Sequence, residues 1–282
     1  MVTMTPKPKH WDGDYGAWFK DAQVAAAYPN RPPYPEDAIQ LLAQLVGEAD
    51  VRAGHSRAVL DVGCGTGDIA RRLAPLVDRI DAVDFSGTMI AQGQRLPGGD
   101  HPHIRWTERA VETAPLSPPY ALVTAGESLH WMQWGVVLPR LRTALAPGGL
   151  LAILNRDWDQ PQALRDRLRP IFAQFSANKD YRPRNLLAEL EQRELFRERG
   201  RRRCGPEPWH PTPEEYLLCR HSQNAFAREQ MGSAEVAAFD AAIAAALGDL
   251  CREGVLREVG GRYLLQVEAN VVWGEPMGCP DY

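Results

Sequence analysis

Hydrophobic positions along the chain fall into short solid runs, separated by segments in which they recur every three or four residues. "YPEDAIQLLAQLVGE" is periodic: Ile39, Leu42 and Val46 share one face, Pro35 stands near the start, and Glu36 and Asp37 lie in the first turn, which predicts a helix. "AVLDVG" is a solid run and reads as a buried strand. The two kinds then alternate. A helix from about Asp68 puts Ile69 and Leu73 on one face and ends near Pro75, "RIDAVD" is a strand, a helix starts near Ser86, and "HIRWT" is a strand. After a proline-rich loop come strand "YALVTA", a helix through Leu138, Leu141 and Leu145, a turn at Pro147, Gly148 and Gly149, and strand "LLAIL". Strands that are apolar throughout and alternate with helices predict an open, mostly parallel α/β sheet covered on both faces.

Beyond residue 155 the alternation stops. Residues 156–190 are polar and helical with no obvious strand, an insertion suited to a lid. "ELFRERGRRR" is a candidate strand, and "TPEEYLLCR" a helix with Thr212 as its cap and Pro213 in its first turn. "SAEVAAFDAAIAAALGDL" is a helix with Val236, Phe239, Ile243, Leu247 and Leu250 on one face, and "RYLLQVEANVVWG" reads as a strand returning to the sheet. The expected organisation is an arm over residues 1–34, a core over 35–155, a helical insertion over 156–194, and the C-terminal part of the core sheet with its helices over 195–282.

Composition narrows this picture. The 282 residues suffice for one large domain or one domain with a sizeable appendage, and 44% hydrophobic with 24% charged residues is ordinary for a soluble globular protein. No apolar stretch approaches the roughly 20 residues of a spanning helix, and "MVTMTPKPKHWDGDYGAWF" lacks the apolar region of a secretory signal, so a cytoplasmic location is expected. Five scattered cysteines (Cys64, Cys204, Cys219, Cys251, Cys279) without a C-x-x-C pair argue for reduced thiols. A formal net charge of −4 offers no general attraction to nucleic acid, and the basic run "RERGRRR" at 197–203 reads as a solvated face or a strand edge.

The candidate chemistry centres on "VLDVGCGTGDIARRL". Gly63, Gly65 and Gly67 stand at alternate positions between a strand and a helix, where glycine permits positive φ, lets a ligand approach the backbone, and leaves helix N-terminal amides available. Asp84 ends the next strand, 23 residues after Asp61, where a carboxylate can accept from both hydroxyls of a ribose. The dinucleotide fingerprint G-x-G-x-x-G, counted from Gly63, requires glycine where Asp68 stands, and an acid there repels a pyrophosphate. The pattern points to a nucleoside without phosphates.

"VLDVGCGTG" resembles motif I of the class I S-adenosylmethionine-dependent methyltransferases. "AVDFSGTMI" resembles their second motif, "RAVETAPL" the adenine-contacting segment, "YALVTAGESLHWM" the fourth-strand motif, and "LAPGGLLAIL" the turn into the fifth strand. The arm "AAAYPNRPPYP" is similar to that of the small-molecule branch. The resemblance implies a doubly wound, Rossmann-like sheet of seven strands with a helical lid insertion, parallel except for one strand supplied by residues 262–273. It also implies site roles. Asp61, Gly63, Cys64, Gly65 and Gly67 line the methionine and ribose portion, Asp84 takes the ribose hydroxyls, and Phe85, Ser86 and Met89 lie beside the adenosine. Ala110 and Val111 flank the adenine, with Ala110 standing where family members commonly carry an acid. Ala125 and Gly126 approach the sulfonium, while Tyr28 and Arg31 close over the cofactor, Arg31 on its carboxylate.

The implied reaction is methyl transfer from S-adenosylmethionine, leaving S-adenosylhomocysteine, to O, N or C of a small metabolite. Four lysines against 28 arginines look like high-GC bacterial codon usage and lean towards specialised metabolism. His130, beyond the fourth strand, is the candidate base for a hydroxyl or carbon acceptor; the other reading of "LHW" places His130 and Trp131 for packing. Glu127 is a candidate for orienting the substrate or the cofactor amine, or else a solvated loop residue. Tyr15, Trp18, Phe19, Trp131, Trp134 and Trp158 are candidate pocket walls. His101 and His103 have no acid or cysteine partner at ligand spacing, so no metal is expected. Two other readings stay open: an S-adenosylmethionine-binding protein or cyclase that does not methylate, and an RNA methyltransferase using residues 197–203. The apolar arm leaves homo-oligomerisation open.

Overall fold

The structure, a computed structural model, describes residues 7–11, 17–53, 56–179 and 185–278. The chain divides into two compact units, one of Pro33–Arg156, Arg184–Pro206 and Glu268–Tyr282, the other of Met1–Pro32, Asp157–Pro183 and Glu207–Val267.

The strands are β1 (Ala58–Val62), β2 (Arg79–Asp84), β3 (Ile104–Glu108), β4 (Tyr120–Gly126), β5 (Leu145–Asp157), β6 (Phe196–Trp209), β7 (Glu258–Val259), β8 (Arg262–Tyr263) and β9 (Leu265–Pro276). Seven of them form a mostly parallel sheet in the order β3-β2-β1-β4-β5-β9-β6, and β7 pairs antiparallel with β8. β1 pairs in parallel with both β2 and β4, so the order reverses there, and the crevice beyond the carboxyl ends of β1 and β4 is where open α/β sheets receive ligands. Every residue of β1 is buried, as its solid apolar run predicts. The helix Glu36–Ala53 lays Ala38, Ile39, Leu42 and Val46 onto this core. Full burial of a leucine such as Leu42 or Leu60 stabilises the fold by about 2 kcal/mol.

Two strand expectations change in detail. The turn at 147–149 lies within β5: Gly148 has φ 79°, the pairing with β4 shifts register between Tyr120 and Leu122, and a Cβ on Gly149 would come within 2.9 Å of the Tyr120 carbonyl. The bulge absorbs what the Pro-Gly-Gly signal had marked as a break. The strand expected at 262–273 is Leu265–Pro276, because Gly260 and Gly261, at φ 58° and 74°, fold residues 262–263 back onto 258–259. The basic run lies in β6, last in the sheet order, where Arg199 pairs with Glu275, Arg201 with Glu198, and Arg203 with Glu268. Charged side chains of this kind discourage pairing at a sheet edge.

The second unit is mainly helical. Leu164 and Leu168 of the helix Gln162–Phe175 share a core with Tyr216 of the helix Pro213–His221 and with Phe239, Ile243, Leu247 and Leu250 of the helix Ser233–Arg252. The helix at 213 starts with a complete capping box between Thr212 and Glu215. Residues 207–267 share this unit with residues 157–183, while residues 184–194 of the expected insertion fall in the sheet unit. Apolar faces decide this, since the long helix matches the leucines of the insertion. Inside this core Arg220 is 1% exposed, paired with Asp159 and the Tyr216 hydroxyl, and lies 4.6 Å from the Tyr216 ring and 5.1 Å from that of Phe172.

Candidate functional site

β1 ends at Val62, and Gly63, Gly65 and Gly67 follow with φ of 64°, 56° and 73°, all left-handed, before the helix Asp68–Leu73. The amides of Gly63 and Cys64 donate to the Val83 carbonyl at 2.8 and 3.1 Å, which holds the turn against the end of β2. Much of the demand for glycine comes from the chain itself. A Cβ on Gly63 would stand 2.5 Å from Ser128 Cβ, and one on Gly67 2.3 Å from the Trp106 ring. To the positive φ, ligand approach and free amides expected of this turn, the structure adds a further cause at these two positions: Ser128 and Trp106 occupy the space.

Two buried carboxylates flank the turn. Asp84 Oδ2 accepts from the Gly65 amide and Oδ1 from the Ser86 amide, both at 2.8 Å. The carboxylate keeps further acceptor capacity. Burial pushes the Asp84 carboxyl up, opposed by the amides of Ser86, Gly65 and Phe85. Asp61 is 2% exposed; its Oδ1 accepts from Thr124 Oγ1 at 2.8 Å, and its Oδ2 has no hydrogen-bond partner among the described residues. Burial pushes its carboxyl up to about 7, with Thr124 opposing and the charges of Asp84 and Asp68 adding to the rise. Burial also raises the Cys64 thiol, which keeps it protonated and unreactive.

Beyond β2, Ser86 is fully buried and caps the helix Gly87–Arg95 by accepting from the Met89 amide, and Met89 is 1% exposed. Phe85 is partly buried. Beyond β3, Ala110 is exposed and Val111 buried. At the end of β4, Ala125 is buried, and Gly126 passes so close to Tyr34 that a Cβ would meet its hydroxyl at 2.7 Å. Glu127 follows with φ 53°, its carboxylate on Arg156. His130 and Trp131 lie in the turn Leu129–Trp131, with ring centroids 4.5 Å apart. Trp134 is 4% exposed and donates its indole N–H to the Leu129 carbonyl at 2.8 Å, so it packs beneath that turn.

The remaining candidates belong to the second unit. Arg31 donates from Nε to Ser222 Oγ and from Nη2 to the Ser222 carbonyl, each at 2.8 Å, and lies 4.1 Å over the Tyr28 ring. Trp18 and Phe19 are partly buried, and Phe19 meets Tyr28 edge-on at 6.4 Å. Trp158 is buried with Cys219 and Val267. Tyr15 lies outside the described residues. Among the described residues no group of three or more His, Cys, Asp or Glu is placed to hold a metal. No helix among them is long and apolar enough to cross a membrane.

Sequence reasoning missed Trp106, Ser128 and Arg156, whose roles arise from contacts distant in the chain. It noticed Asp68 as a departure from the dinucleotide pattern, and the structure adds what that acid does: Oδ2 accepts from the Tyr34 amide at 2.9 Å, and the carboxylate pairs with Arg72 and Arg156.

A family profile described as "Methyltransferase domain" matches residues 59–149. The chain is 29% identical over 160 residues to a malonyl-[acyl-carrier protein] O-methyltransferase of Enterobacter lignolyticus, covering 55% of this chain and 62% of that protein. It is 36% identical over 118 residues to a trans-aconitate 2-methyltransferase of Delftia acidovorans, covering 39% of this chain and 41% of that one. The chain therefore spans less than two thirds of the length of these relatives. A solved structure from Anaeromyxobacter dehalogenans, assigned as a type II methyltransferase, shares the fold with a TM-score of 0.59 at 22% identity, over 88% of this chain and 99% of that one.

Proposed function

Through residues 59–149 the chain belongs to the class I S-adenosylmethionine-dependent methyltransferases, and from that premise we propose that it transfers the methyl group of S-adenosylmethionine to a small metabolite, in bacterial specialised metabolism. When bound, S-adenosylmethionine supplies a methyl group made electrophilic by its sulfonium. The observation that carries the reading is the pair of carboxylates at the ends of β1 and β2. Asp84, oriented by backbone amides, keeps acceptor capacity for a ribose diol, and Asp61 has a buried Oδ2 with no hydrogen-bond partner among the described residues. A ligand with a diol and a cationic amine satisfies both, and S-adenosylmethionine has these groups, so the residues present fit it.

The remaining roles follow the same reading. The turn of Gly63, Cys64, Gly65 and Gly67 lines the methionine and ribose portion, and Phe85, Ser86 and Met89 lie beside the adenosine. His130 accepts the proton of a hydroxyl or carbon acceptor. Among acceptor atoms a carboxylate oxygen is favoured, since malonyl-[acyl-carrier protein] and trans-aconitate, named for the two relatives, both carry carboxylic acids. A carboxylate is ionised at neutral pH and needs no base, so His130 then positions the acceptor.

The test is to incubate the protein with S-adenosylmethionine and panels of di- and tricarboxylic acids, phenols and amines, and to follow S-adenosylhomocysteine. Formation with acids alone supports the carboxylate reading. Tight binding of S-adenosylhomocysteine with no turnover on any panel would instead favour a binding protein or cyclase.

A further inference from the structure

Glu127 adopts a backbone conformation that glycine or asparagine tolerates more easily, and its side chain supplies the reason for its presence. Its amide donates to the Leu154 carbonyl at 2.9 Å. Its Oε2 accepts from Arg156 Nη2 at 2.8 Å and its Oε1 from the Arg156 amide at 3.3 Å, so the carboxylate chelates one residue through side chain and backbone together. The Arg156 side chain is 4% exposed, lies 4.4 Å from the Tyr34 ring centroid, and places Nη1 3.7 Å from Asp68 Oδ2. The next residue, Ser128, donates to the Val62 carbonyl at 2.6 Å and fills the space above Gly63. The exit of β4 thus grips the glycine turn at both ends, through Ser128 where the turn begins and through Arg156 at Asp68 where its helix starts.

We propose that the Glu127–Arg156 chelate is a positioning clamp, which fixes the glycine turn against the end of β4 before ligand arrives, and that Glu127 takes no part in proton transfer. The proposal rests on the reading that S-adenosylmethionine binds at this turn. A preformed turn spares the ligand the cost of ordering it, so the clamp acts on affinity. A guanidinium suits the task because its rigid fork serves Glu127 and Asp68 at once, which an ammonium on a flexible stem does not.

Calorimetric titration of S-adenosylhomocysteine into the full chain tests this, with Glu127→Gln, Glu127→Gly, Arg156→Lys and the double variant Glu127→Gln/Arg156→Lys, each at pH 6.5 and 8.5 and with its unfolding midpoint measured. Each single change is expected to raise Kd about tenfold, equally at both pH values, and the double variant to be no more than about threefold worse than the weaker single, because one unit is broken once. Glu127→Gly separates the clamp from a merely structural role: glycine relieves the left-handed backbone and preserves the midpoint, yet affinity still falls. Wild-type Kd in Glu127→Gly, additive losses in the double variant, or a loss confined to one pH overturns the clamp. Absence of binding by the wild type overturns the cofactor reading first and the clamp with it.

Discussion

Asp159 and Asp61 are both carboxylates drawn in from solvent, one in each unit. Asp159 faces Arg220, whose guanidinium also meets the Tyr216 hydroxyl and three aromatic rings, with the Trp158 ring 5.9 Å away. Burial alone would lower the Arg220 guanidinium, and Asp159, Tyr216 and Cys219 around it together more than reverse that. Asp61 meets no cation among the described residues; Thr124 donates to its Oδ1, and its Oδ2 is buried without a geometric hydrogen-bond partner among them. The first arrangement closes its charge within the fold; the second keeps an acid at a cost to stability. Buried charge that the fold completes holds the structure together, whereas buried charge left incomplete at a strand end marks a place for a ligand.

The largest effect expected comes from opening the closed pair. Arg220→Met leaves Asp159 without its cation and should lower stability by about 3–5 kcal/mol, while Arg220→Met with Asp159→Leu recovers most of it. Denaturant unfolding of the three proteins decides this, and a loss under about 1 kcal/mol in the single variant would remove the contrast.

Asp84→Ala comes next. It removes the acceptor for the Gly65 and Ser86 amides together with that for the ribose, and S-adenosylhomocysteine should bind about 100-fold more weakly, near 3 kcal/mol. Unchanged affinity in a calorimetric titration would place the cofactor elsewhere.

Asp61 sharpens the comparison through pH. Its folded value of about 7 lies above that of an unfolded aspartate, so the folded state binds the extra proton. The resulting stabilisation is fully present below about pH 4 and is lost as pH rises through about 7. Asp61→Asn, isosteric and uncharged, should raise the stability of the ligand-free protein at pH 8 by about 2 kcal/mol and weaken S-adenosylhomocysteine binding about tenfold. If the cofactor amine meets the ionised carboxylate, binding near pH 6 should release close to one proton. Calorimetry in buffers of different ionisation enthalpy measures that release, and none at all would separate Asp61 from the amine.

The smallest effect belongs to the exposed edge. Arg203→Ala breaks the pair with Glu268, whose arginine side chain is 64% exposed, and should change stability by less than about 0.5 kcal/mol. A larger loss in thermal unfolding would mean that the run at 197–203 does more than cover the strand edge.

The site was legible where it is local. Asp61, the three glycines and Asp84 lie on one strand, the turn after it and the end of the next strand, and their roles follow from spacing along a strand-turn-helix unit. Arg156 was not legible, because it is 29 residues from Glu127 and nothing in its own neighbourhood marks it. Ser128 and Trp106 were missed for the same reason: each fills the space a glycine leaves, and that space exists only after β1, β3 and β4 are aligned. Glu127 was noticed for its position beyond the fourth strand, but its left-handed backbone and its chelate on Arg156 are invisible in sequence.

Sequence by itself determined the alternation of strands and helices, the burial of β1, the glycine turn and the two acids, because these depend on propensity and periodicity over a few residues. Tertiary structure decided the rest: which glycines the chain's own packing requires, that Asp68 serves Tyr34 and two arginines, and that residues 207–267 join residues 157–183 in a helical unit. Those outcomes depend on which distant surfaces become neighbours, and burial, hydrogen-bond completion and steric exclusion act only once they do.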